Sequence, residues 1–188
     1  MLYHLKEYGK FAEITGYRNI AFAKAEEFLK ADRKETGQVV DVQFFDAELI
    51  ASQKHLYFAV INALQAFQNK TNISKSLSME TMLYASGQRQ IKKAIQLCGI
   101  KPETTNMAVV IISKNQAQIQ TVVQAVTKYI DAESDEQVLG ITKTKEAKIK
   151  AAFQIVDDEI KTVMKNGESE KALISLVIER VALLSTQL

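Results

Sequence analysis

Two histidines, one cysteine and a short acidic run are the side chains of this 188-residue chain best suited to bond-making chemistry, and their spacing argues against it. His4 and His55 stand far apart in sequence, without the spacing of a metal-ligand pair. His55 opens an amphipathic segment, where a packed or capping role is expected. Cys98 is the lone cysteine, which rules out an internal disulfide and a paired-cysteine metal site. It falls in an apolar helical pattern, the place of a small buried thiol. Asp157, Asp158 and Glu159 are consecutive, and consecutive helical residues project about 100° apart, so they cannot converge on one substrate atom. No glycine-rich phosphate loop and no Gly-x-Ser-x-Gly elbow occurs. We therefore expect no catalytic residue, no metal, no cofactor and no small-molecule substrate.

What remains is the capacity to bind. Asn-Ile-Ser-Lys-Ser at 72–76 and Gly-Gln-Arg-Gln at 87–90 flank an apolar stretch. They lie in the only strongly basic part of the chain: residues 48–101 hold seven Lys or Arg against two Asp or Glu, whereas the whole chain has a net charge of +2. A basic region in a nearly neutral chain fits an anionic partner. It also fits a solvated surface, with Asn72 and Ser74 as helix caps and Arg89 paired with Glu80 across Gly87.

The elements that must position these groups follow from periodicity. Residues 3–17 read as two short strands joined by a turn, with Gly9 and Gly16 as the turn signals. Residues 20–34 form a short helix with Phe22, Ala25, Phe28 and Leu29 inward. After Gly37, residues 39–45 (VVDVQFF) form a strand. From Ser52 the period becomes helical, with Leu56, Ala59, Val60, Ala63, Leu64 and Phe67 on one face up to Asn69. Two helical pieces follow, split at Gly87 and ended by Gly99; the first carries Leu77, Met79, Met82 and Leu83 inward, the second Ile91, Ala94, Ile95 and Cys98. MAVVIIS at 107–113 is a buried strand, and 116–130 is a helix built on Ile119, Val122, Val123, Val126 and Ile130. Residues 131–137 are an acidic connector. Residues 142–165 read as one long helix, closed by Asn166-Gly167, and 169–186 as the last.

That last helix is apolar around most of its circumference: Leu173, Leu176, Val177, Val181 and Leu184 would suffice for a core stripe, yet Ile174, Ile178, Ala182 and Leu183 are apolar too. Such a helix must be covered from more than one side. It is either wedged between two layers of its own domain or offered to another protein. The set implies an α+β fold: one domain over 1–188, a small mostly antiparallel or mixed sheet covered by about seven helices, and a C-terminal helical pair over 142–188. The N-terminus lacks a charged-then-apolar leader, and no apolar run is long enough for a bilayer, so a cytoplasmic protein without a membrane partner is expected.

The order of these pieces is itself distinctive. SQKHLYFAVINALQAF (52–67), NISKSL (72–77), MET (79–81) and GQRQIKKAI (87–95), followed by a buried strand, resemble the small regulatory subunit of the KEOPS complex, the PRPK-binding protein family. GKFAEITGYRN (9–19), VVDVQFFDAELIA (39–51) and ALISLVIERVALL (172–184) extend the resemblance over nearly the whole chain. It implies a non-catalytic subunit of the assembly that installs threonylcarbamoyl on the adenosine next to the anticodon of certain tRNAs. Its partners would be the atypical small protein kinase of KEOPS and the single-stranded 3′ CCA end of tRNA. By the same resemblance, Asn72, Lys75 and Arg89 match motif positions for RNA contact, and Lys92 and Lys93 would add phosphate attraction. Leu173, Leu176, Val177, Arg180 and Leu184 would be the kinase-docking residues. The competing expectation is a protein–protein adaptor without RNA binding.

Overall fold

Strand β4 (Met107–Ser113) has no polar face because it has no wet face: all seven of its residues are buried. In this computed structural model, which describes residues 1–35 and 40–186 (side chains of 1–29 and 40–186), β4 is an inner strand of a four-stranded sheet. The other strands are β1 (Leu2–Leu5), β2 (Lys10–Tyr17) and β3 (Val40–Asp46), in the order β1-β2-β4-β3, every pair antiparallel. Register fixes the faces. Met107, Val109 and Ile111 join Val42 and Phe44 on one side, under α1 (Phe22–Glu35) and α5 (Gln116–Ile130). Ala108, Val110 and Ile112 join Phe45 and Ile14 on the other, under α2 (Gln53–Asn69) and α3 (Leu77–Ser86). Side chains alternate along a strand, so one continuous apolar run serves two cores.

Gly9, in the left-handed region, makes the expected turn between β1 and β2. Gly16 does not. It sits inside β2, where an added Cβ would meet the Val138 side chain at 2.4 Å and the Asp135 carbonyl at 2.5 Å, so it marks a close backbone approach. The turn signal at Gly37 lies outside the described residues.

The helix expected over 142–165 is two helices, α6 (Lys143–Phe153) and α7 (Asp157–Val163). Gln154 turns left-handed, at φ 53°, and the Ile155 amide donates back to the Lys150 carbonyl. Glu159 then reaches back to accept from the Val156 amide and starts α7. With α8 (Ser169–Leu183) the C-terminal part is thus three helices rather than a pair, and Val156, at the break, is 60% exposed. The three share a separate core of Ile149, Phe153, Ile155, Ile160, Leu173 and Val177. Among the described residues no helix is long and apolar enough to cross a membrane.

Candidate functional site

The chain leaves α2 through Lys70 in the left-handed conformation and enters α3 at Ser76. Ser76, not Asn72 or Ser74, is the helix cap: its hydroxyl accepts from the Met79 amide at 3.3 Å. Asn72 closes the loop on itself, donating from Nδ2 to the Ser74 carbonyl at 2.9 Å. Beneath the loop lies Glu80, fully buried one turn into α3. Its carboxylate accepts the Ile73 amide at 3.1 and 3.0 Å and the Ser74 amide at 2.6 Å. The amides therefore face inward, and the Ile73 side chain is left 40% exposed.

Lys75, also exposed, lines a depression of about 230 Å³ with Lys10, Asp41 and Phe67. Asp41 accepts from the Ser78 amide in the first turn of α3, and its carboxyl is pushed up by burial against the opposing pull of Lys10. The opposite end of α3 is the Gly87 turn, left-handed at φ 62°, its amide on the Tyr84 carbonyl at 3.0 Å. Arg89 is exposed just beyond, and α4 (Ile91–Cys98) follows. One turn of α3 separates Glu80 from Tyr84 on the same helical face. The Tyr84 hydroxyl is pushed up first by burial and then by Glu80, while Arg89 pulls it down.

Helix α4 packs through Ala94 and Cys98 and exposes Ile91 and Ile95, at 42% and 43%, beside Lys92 and Lys93. Its N-terminus is unusual. Gln90 occupies the cap position without a side-chain hydrogen bond, and the first turn holds no acid. The unpaired amides and the positive end of the helix dipole therefore coincide with Lys92 and Lys93, which form no ion pair among the described residues.

The docking residues expected on the last helix require correction. Leu173, Leu176, Val177 and Leu184 are all at most 4% exposed. The first three belong to the α6–α7–α8 core and Leu184 to the core over the sheet, so the helix is wedged between two layers of its own domain. Arg180 is part-buried and pairs with Glu159 of α7. It also lines a cavity of about 210 Å³ with Gln88, Phe153 and Gln154, and a Cβ on Gly87 would lie 3.7 Å from its carbonyl. The Gly87 turn thus abuts α8. The outward face of α8 carries half-buried Ile178 and exposed Ala182 and Leu183, whereas Ile174, also half-buried, packs against the α6–α7–α8 core.

The groups suited to catalysis are spread apart. His55 is fully buried, donating from Nε2 to the Ala85 carbonyl at 2.7 Å while Nδ1 accepts from the Ala51 amide at 3.2 Å. Burial pushes its pKa down to about 4, which keeps this arrangement neutral. His4 is exposed on β1, stacked on Phe11. Asp157, Asp158 and Glu159 pair separately with Lys150, Lys161 and Arg180. Among the described residues no three His, Cys, Asp or Glu side chains are placed to hold a metal.

Sequence reasoning missed Glu80 as the anchor of the loop. The signal was available: it is the only charged residue in the otherwise largely apolar segment Leu77–Ser86. A lone acid on a buried helix needs partners, and the nearest unpaired amides precede the helix.

Comparison with known proteins places the fold. The chain is 33% identical over 113 residues, 60% of its own length and 70% of the relative's, to the "Regulatory protein Cgi121" of Methanocaldococcus jannaschii. The family described as "Kinase binding protein CGI-121" matches residues 17–185, a span that includes the 72–76 loop, the Gly87 turn and all of α8. The chain belongs to the CGI-121 family.

Proposed function

We propose that this chain is a non-catalytic, cytoplasmic subunit of the KEOPS assembly, binding its atypical protein kinase and helping to recruit tRNA through the 3′ CCA end. The observation that carries the RNA half is the N-terminus of α4. Cations at the positive end of a helix dipole cost roughly 0.3–1 kcal/mol each, the reverse of the usual pattern of acids there. Here Lys92 and Lys93 occupy that end, with no side-chain cap and no acid in the turn. Local rules broken this way concentrate at functional sites. A phosphate would relieve both defects, accepting from the open amides and neutralising the lysines. Exposed Ile73, Ile91 and Ile95 lie in the same two segments and offer apolar surface to unstacked bases, as single-stranded RNA ends require.

The kinase half rests on the family description and on α8. Since Leu173, Leu176, Val177 and Leu184 are committed to the cores and Ile174 packs against one of them, we assign docking to Ile178, Ala182 and Leu183 on the outward face, with Arg180 nearby. Substituting Ile178→Asp tests this assignment. A folded variant that loses the kinase but keeps tRNA fits it, and one that keeps the kinase refutes it. Binding of tRNA is tested by comparing intact tRNA with tRNA lacking its CCA end. Binding to neither would leave a protein–protein adaptor.

A further inference from the structure

Glu80 is fully buried, and its place in the core needs an explanation. Its neighbours in α3, Leu77, Met82 and Leu83, are buried apolar side chains, and an apolar residue of similar size would fill the same space without the desolvation of a charge. What such a residue could not do is accept the amides of Ile73 and Ser74, which Glu80 takes at 2.6–3.1 Å. Both amides point inward at this one carboxylate. The loop could have left them to water; instead its backbone is fixed from below. The Asn72 side chain braces it from the other side through the Ser74 carbonyl. The Ser74 hydroxyl adds a third tie, accepting from the Ser76 amide at 3.2 Å.

We infer that Glu80 is a positioning residue for nucleic-acid binding: it touches no RNA, but holds the 72–74 loop in its binding shape before RNA arrives. This rests on the RNA-binding reading above. A loop already ordered does not draw on binding energy for its ordering. The clamp centres on Oε2, which accepts both amides, while Oε1 accepts from Ile73 alone. Glu80→Gln can keep an oxygen at the shared position but removes the charge and sets an NH2 donor against the Ile73 amide.

The test combines amide exchange with binding of a tRNA transcript, with and without its 3′ single-stranded end. In the free wild-type protein the Ile73 and Ser74 amides exchange slowly, and tRNA adds little protection. Glu80→Gln accelerates exchange at Ile73 most and at Ser74 less, and loses about tenfold in affinity for tRNA bearing its 3′ end. The salt dependence of binding stays unchanged, because Lys75, Lys92 and Lys93 are intact. A merely structural Glu80 would loosen the amides and leave affinity unchanged, which overturns the inference alone. Fast exchange at Ile73 and Ser74 in the free protein, slowed only by tRNA, also overturns it, and needs no variant. A wild-type chain that binds neither transcript overturns the RNA reading and the inference with it.

Discussion

Leu176 offers the sharpest contrast between a helix that docks and a helix that holds the domain together. It is 4% exposed and sits with Ile149, Phe153, Ile155 and Ile160 in the core that joins α6, α7 and α8. Truncating a buried leucine to alanine costs about 2–5 kcal/mol, lost transfer energy plus the cavity left behind. For a chain of this size each kcal/mol moves the melting temperature by roughly 2–4 °C. Leu176→Ala should therefore lower the melting temperature by on the order of 10 °C. Leu176→Asp adds the burial of an unpaired carboxylate and should exceed the total stability of about 5–15 kcal/mol expected of such a domain. Ile178, two residues on and half-buried, should lose no more than half as much as Leu176 when cut to alanine. The assay is thermal unfolding followed by circular dichroism, with urea titration as the second probe. A Leu176→Asp protein that folds with a wild-type midpoint would refute the packing, and would return Leu176 to the surface as a docking residue.

Three further outcomes are expected. Replacing Lys92 and Lys93 together with alanine should flatten the salt dependence of tRNA binding by one to two contacts, at about 0.7 in log–log slope per phosphate on a single strand. His55 is held neutral with its pKa pushed down to about 4 from 6.5. As pH falls below 6.5 the unfolded chain takes up a proton the folded one refuses, so stability is lost on the way to pH 4, by up to about 3 kcal/mol, as urea midpoints at pH 7 and pH 4.5 should show. The Cys98 thiol, buried and pushed up to about 12, should resist a thiol reagent in the native protein and react at once after unfolding.

The elements were legible where one periodicity ran unbroken. The continuous apolar β4 and the stripes of α2 and α5 appear where their patterns placed them. The break in α6–α7 was not legible because no glycine or proline marks it. Gln154 takes a left-handed conformation that only Gly, Asn or Asp commonly advertise, and the tertiary fit of Ile155 and Phe153 into the α8 core accompanies it. The core stripe of α8 was readable, but its role was not. Its apolar excess reflects contact with two cores of the same chain, and sequence does not say how many layers surround a helix. At the candidate site, Asn72, Lys75 and Arg89 were visible as residue types. Glu80 stood out as a lone acid in an apolar helix, but its partners are backbone amides of the preceding loop, which no residue identity names.

Binding of the purified chain to intact tRNA and to tRNA without its CCA end is the most direct test of the account. If the 72–76 loop and the N-terminus of α4 grip a single-stranded end, intact tRNA binds in a salt-sensitive manner and removal of the CCA abolishes most of the affinity. Equal binding of both RNAs, or of neither, would contradict it.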